Sequence, residues 1–362
     1  MSDSHWSIWT EFLDNLHIDD PYLTDFNDPI PLLQVFAEHL RTGKIAPSGD
    51  PLRSRSVEDY VRSVGQEIAS LGTLDPRIMV NGTFDLRLKK QLKGYARLDT
   101  PPERVKPIPM PLVASAISDA YASPDPLLRA TGDCGVIGLF FLLRPGEHVH
   151  SANDNDTSPF RLKDVDFLLG HHCYNAATCD LDLLLSPEQV LLTFTKQKNG
   201  TLGEKLKHGS TDQVLMSPVL AVLRRVRHLR QHNAPSTTAL HTVYLGNGKT
   251  AQVTSNRLTA MLRRSCRNMP ELGLDPSDIS ARALRAGGAM ALLCARVDPL
   301  LVQLIGRWKS DAMLRYLHLQ ATNMHDLATR MLSGGEFKLL PNQILPQQAL
   351  SLLSGHPDAG TA

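Results

Sequence analysis

Between Thr100 and Pro111 the chain carries Pro101, Pro102, Pro107, Pro109 and Pro111. Each proline lacks a backbone N–H and fixes φ, so this stretch interrupts regular structure. The chain is therefore expected to build a core on either side of it. With 362 residues, 42% of them hydrophobic and 21% charged, it has enough apolar material for both. The expected domains are residues 1–106, residues 107–334 and a tail over 335–362, where leucines such as Leu339, Leu345 and Leu352 follow no clear period.

Ahead of the prolines, Leu32, Leu33, Val35, Phe36 and Leu40 make an apolar helix face that stops at Gly43. Ser56 and Asp59 have the spacing of a capping box for a helix through Val57, Val61, Val64 and Ile68. A further helix is predicted over 85–97. Beyond the prolines, Asp125 can cap and Pro126 can open a helix that runs through Val136 to Leu143 and ends near Arg144. Residues 165–169 and 190–195 read as strands, and Asn199-Gly200 reads as the turn of a small sheet with a basic tip. After Pro218 the pattern is helical again, with Ser255, Ser280, Asp298 and Ser310 as expected N-caps.

The net charge is only +1, yet it is unevenly placed. Residues 1–40 hold acidic groups and no Lys or Arg. Residues 196–230 hold Lys196, Lys198, Lys205, Lys207, Arg224, Arg225, Arg227 and Arg230 against Glu204 and Asp212, a local field expected to suit a polyanion. An N-terminus without basic residues lacks the start of a secretory signal, and the longest apolar run, Cys134 to Leu143, is too short to span a bilayer. Cysteines without a Cys-x-x-Cys pair fit reduced thiols, and His171, His172, Cys173 and Cys179 match no closed zinc spacing. A soluble intracellular protein without metal or cofactor is expected.

Three segments carry chemistry. They are Leu142-Leu143-Arg144-Pro145-Gly146-Glu147, Arg282-Ala283-Leu284-Arg285-Ala286-Gly287-Gly288, and Ile305-Gly306-Arg307-Trp308 with Tyr316 following. Attack on a phosphodiester builds charge on two non-bridging oxygens, and Arg144 and Arg285 are candidates for the fixed bidentate clamps it needs. A lysine on a mobile hairpin, Lys198 with Lys196 as runner-up, could protonate the leaving 5′-oxygen. Tyr316 lies among Leu314, Leu317 and Leu319, where spacing alone would make it a core aromatic; the surrounding boxes make it the candidate nucleophile. Two glycines in a helical run cost roughly 1 kcal/mol each and mark a backbone approached closely by another helix or by DNA.

In order and context these boxes resemble the tyrosine recombinases, and most nearly the eukaryotic integrases of crypton-type mobile elements. Arg144 to Glu147 matches the family's Arg-x-x-Glu box and Lys198 its hairpin lysine. Arg282 to Arg285 matches the box that usually reads His-x-x-Arg, Arg307 the position usually His or Trp, and Tyr316 the nucleophile. The resemblance implies a fold that is mainly α with a small β-sheet, a helical SAM-like core-binding domain preceding the catalytic domain. It also implies a nuclear protein that breaks and rejoins double-stranded DNA through a 3′-phosphotyrosyl link, without metal, as a homo-oligomer on paired sites. Because Arg282 and Arg307 stand where histidine is usual, and arginine is no base near neutral pH, two alternatives stand beside it. One is a catalytically silent DNA-binding protein of the same fold. The other is a regulator that reads DNA with a helix-turn-helix over 280–319.

Overall fold

The computed structural model describes residues 3–72, 74–100, 105–151, 157–197, 200, 202–246 and 248–309. The chain divides into two compact units, Met1–Glu103 and Arg104–Ala362. Lys198, Ser310 and Tyr316 lie outside the described residues.

The first unit is helical. Its helices α1 (Asp3–Asp14), α2 (Ile30–Arg41), α3 (Ser54–Ser70) and α4 (Leu86–Leu98) close around Trp9, Phe12, Phe36, Val57, Val61, Val64 and Leu88. Trp9 meets Phe36 edge-on at 4.9 Å and donates its indole N–H to Pro21 O, so the largest ring of this core is packed and its polar tip satisfied. The Ser56–Asp59 capping box is not formed. Helix α3 opens at Ser54, and Asp59 pairs with Arg62 one turn on. The capping carboxylate comes instead from Asp99, just past α4, which accepts from Ser54 N at 2.9 Å, from Ser54 Oγ, and from Arg41. Ser54, burial opposing, holds the Asp99 carboxyl below its ordinary value.

The second unit opens with a helix ahead of the one that Asp125 caps. Helix α5 (Met110–Ala122) was not expected from the pattern, and Pro111 does not interrupt it: it lies in the first turn, where a missing N–H costs nothing. Helix α6 (Pro126–Phe140) is capped by Asp125, which accepts from Leu127 N as expected, and is buried on all sides from Ala130 to Leu139. Its all-round apolar character follows from that position. The charged residue in this stretch, Asp133, accepts from Tyr121 Oη and from Arg224 Nε at 2.8 Å; burial raises its pKa and Arg224 opposes.

A single turn, α7 (Pro145–His148), leads to an antiparallel sheet of β1 (Val165–Leu169), β2 (His172–Asn175), β3 (Gln189–Thr193) and β4 (Lys205–Gly209) in the order β2-β1-β3-β4. The strand expected at 190–195 begins at Gln189 and ends at Thr193. Strands β2 and β4 were not expected, because both are polar and owe their extension to pairing with β1 and β3. Helix α8 (Pro218–Gln231), the hairpin β5 (Thr242–Leu245) and β6 (Lys249–Gln252), and helices α9 (Ser255–Arg267), α10 (Ala283–Cys294) and α11 (Pro299–Ile305) complete the described part. The fold is mainly α with small β-sheets. Asp298 caps α11 as expected, but Thr254 rather than Ser255 caps α9, and Arg282 rather than Ser280 is the N-cap residue of α10.

Helices α6, α10 and α11 end in the same unusual way. Leu142, Arg296 and Arg307 adopt φ of +48°, +63° and +56°, and the next residue in each case bonds back to the carbonyl five positions earlier. This is the Schellman closure, which normally places glycine in the left-handed position; a side chain there costs about 1 kcal/mol.

Candidate functional site

Arg144 and Arg307 meet at one carboxylate, and Arg285 is held against the residues that flank Arg307. Glu147, with no exposed surface, accepts from Arg144 N at 2.8 Å and Arg144 Nη1 at 3.1 Å, and from Arg307 Nη2 at 2.9 Å. Helix α7 produces this geometry: Arg144 is its N-cap residue and Glu147 sits three positions on, where a carboxylate reaches back to the cap N–H. Arg144 keeps 24% of its side chain exposed, so its guanidinium is reachable from solvent.

Arg307 is placed differently. Its side chain is 1% exposed, and besides Glu147 it donates to Phe141 O, Leu142 O and Ile305 O. Two of these are carbonyls at the end of α6, so Arg307 brings a cation to the negative end of that helix. Its guanidinium also lies 4.1 Å from the Phe194 ring centroid. Burial pushes its pKa down, while Glu147 opposes this. The left-handed turn at Arg307 directs it inward, and Gly306 before it leaves room for the Trp308 ring, which any Cβ at 306 would strike.

Arg285 lies on α10, 4% exposed, stacked 4.6 Å over Trp308 and donating to Gly306 O. Trp308 and Gly306 therefore join Arg285 to the Arg307–Glu147–Arg144 network. The Gly287-Gly288 pair is explained by packing within the protein. A side chain at 287 would strike Ile108, and one at 288 would strike the Leu139 carbonyl and the Leu142 side chain. Arg282, one turn before Arg285, is exposed. Lys196 is exposed beside the hairpin between β3 and β4; Lys198 falls on undescribed residues of that hairpin, and Tyr316 on those after Lys309.

Of the basic run over 196–230, the α8 arginines turn inward while Lys196, Lys205 and Lys207 are exposed. Arg225 donates to Leu240 O and Thr242 O, Arg227 to Leu184 O, and Arg230 to Ala176 O and Cys179 O, while Arg224 binds Asp133. These guanidiniums tie α8 to neighbouring loops. Further exposed cations are Lys89, Lys90, Lys93 and Arg97 on α4, and Arg257, Arg264 and Arg267, beside Asn256, on α9. The α9 set could have been found from periodicity, since it lies opposite the buried Leu258, Met261, Leu262 and Ser265. Helix α11, the second helix of the helix-turn-helix alternative, carries no Arg or Lys and exposes Leu300, Leu301 and Leu304. Its Gln303 amide is turned to Trp308 O, and the alternative's residues 310–319 lie outside the described ones.

No family model matches the chain, and no curated protein matches it either. Among solved structures it is similar to the XerH site-specific recombinase bound to palindromic difH substrate in a post-cleavage complex, at 15% identity over 86% of this chain and 74% of that one, with a TM-score of 0.48. It is also similar to the Tn1549 transposon integrase in complex with transposon right end DNA, at 15% identity over 92% and 99% of the two chains and a TM-score of 0.44. For the XerA recombinase the identity is 14% over 92% and 91%, with a TM-score of 0.38.

Proposed function

We propose that this chain cleaves and rejoins double-stranded DNA through a 3′-phosphotyrosyl intermediate, as a site-specific recombinase or integrase of mobile-element origin related to the crypton type. The observation that carries the proposal is that Arg144 and Arg307, from distant segments, share Glu147, while Arg285 is held by Gly306 and Trp308 on either side of Arg307. Arg144 and Arg285 clamp the non-bridging oxygens of the scissile phosphate. Arg307, held by Glu147 and the end of α6, braces that clamp rather than serving as a proton carrier. Tyr316 Oη attacks phosphorus and gives its proton to solvent water, forming the phosphotyrosyl bond as the bond to the 5′-oxygen breaks. Lys198 gives that oxygen its proton, and the roles reverse on rejoining. The assignments of Lys198 and Tyr316 rest on sequence position alone.

The exposed cations of α4 and α9 are proposed to bind the DNA backbone, and protomers to assemble on paired sites in the nucleus. Removing one side chain that neutralises a phosphate should lower the slope of log affinity against log salt by about 0.9. Lys89→Ala with Lys93→Ala is therefore expected to reduce the slope by roughly 2. Arg230→Ala, which removes bonds to Ala176 O and Cys179 O, should lower stability and leave the slope unchanged. Equal slopes for wild type and both variants would refute the surface assignment.

Arg285→Lys should cost cleavage about 10²–10³-fold with DNA affinity within a few-fold, because an ammonium keeps the charge but not the bidentate fork. Single-turnover cleavage beside a filter-binding titration measures both.

A catalytically silent DNA-binding protein is the second reading, favoured by the exposed Arg282 where a proton carrier is usual. The deciding experiment incubates the protein with a nicked duplex bearing the element's own ends, in EDTA, and maps any covalent adduct by mass spectrometry. An adduct on the Tyr316 peptide supports the enzyme, since two arginines provide the charge stabilisation a divalent ion gives other nucleases. Binding without an adduct supports the silent protein.

A further inference from the structure

We infer that His148 is a positioning residue for Arg144, holding that arginine's backbone carbonyl through an Nδ1–H hydrogen bond from a pocket opened by the missing side chain of Gly138; the inference rests on the phosphate-clamping role proposed for Arg144. His148 is 4% exposed, and its Nδ1 lies 2.9 Å from Arg144 O. A carbonyl oxygen only accepts, so Nδ1 carries the hydrogen. Burial, against the opposing Arg144 carbonyl and Glu147, depresses the imidazole to about 4, so the ring is neutral near pH 7 and Nε2 is a bare acceptor. Nε2 has no hydrogen-bond partner among the described residues and faces Gly138, where any Cβ would strike the ring.

The consequence falls on Arg144. Its N–H is held by Glu147 Oε2, and its carbonyl accepts from both Glu147 N at 2.9 Å and His148 Nδ1. Both backbone polar groups are thus fixed on one short turn. The side chain then leaves the backbone from a fixed origin, which favours a clamp that must meet a phosphate within a fraction of an ångström. Gly138 serves the same turn twice, since its carbonyl also accepts from Leu143 N at 3.0 Å.

Two measurements test this. Nitrogen-15 NMR of the folded protein near pH 7 should show His148 as the Nδ1–H tautomer; an Nε2–H pattern overturns the inference. In single-turnover cleavage, His148→Leu, which fills the space without a donor, should be about tenfold slower than wild type with DNA affinity unchanged, as expected for loss of one hydrogen bond. His148→Asn, whose amide N–H falls near the Nδ1 position, should recover most of that rate. A leucine variant as fast as wild type, or an asparagine variant as slow as leucine at equal folded fraction, overturns the inference. Wild-type protein that binds DNA but forms no adduct overturns the functional reading and with it any catalytic role for His148, a result distinct from the other two.

Discussion

Tyr316→Phe is expected to form no covalent adduct while binding DNA within about twofold of wild type. Phenylalanine keeps the ring and removes the one atom that attacks phosphorus, whereas the proposed clamp of Arg144 and Arg285 remains. Losing a nucleophile outright costs on the order of 10⁴–10⁶ in rate in enzymes with covalent intermediates, so the variant should fall below detection. Lys198→Ala should behave differently. It slows cleavage, and a substrate whose leaving group needs no proton restores much of the rate, because the missing contribution is general acid catalysis. An adduct formed by the phenylalanine variant would show that another residue is the nucleophile.

Glu147→Ala should lower the stability of the second unit by about 3–5 kcal/mol, the usual result of leaving a buried charge without its partner. Arg307 is the charge at issue, since its side chain is 1% exposed and its carboxylate partner is wholly buried. For a unit of this size the loss corresponds to roughly 6–20 °C in melting temperature. Glu147→Gln should cost less, because an amide oxygen still accepts from an arginine. Combining Glu147→Ala with Arg307→Leu should return part of the loss, as apolar replacement of both members of a buried pair is often close to neutral. Urea denaturation measures each variant, and a cost under about 1 kcal/mol for Glu147→Ala would mean that the network does not brace the site.

The sequence disclosed what is decided locally. Asp125 and Asp298 each cap the helix that follows through a bond to the residue two positions on, and such bonds are written in adjacent letters. Ser54 is capped by Asp99, and no local pattern announces a partner brought in by folding. The ends of α6, α10 and α11 were obscured for a related reason. The usual sign is glycine, but Leu142, Arg296 and Arg307 take the left-handed position, where surrounding packing outweighs the local cost. In the candidate site, Arg144, Arg285 and Arg307 were legible as boxes, while the bracing geometry of Arg307 was not. The α8 arginines show the same limit, because a run of positive charge does not say whether each guanidinium faces solvent or a carbonyl.

The glycines of α10 set a length as well as a contact. Gly288 lies against the last turn of α6, and Gly287 against the chain at Ile108. Arg285 stands one turn before Gly288, and Arg144 follows the end of α6 by a few residues. The gap between the two backbones that carry these arginines is thus gauged by how nearly the chains can touch, a ruler whose graduation is the absence of a methyl group. A phosphate has one size, and the proposed clamp gains from two side chains that start from origins held at a constant separation.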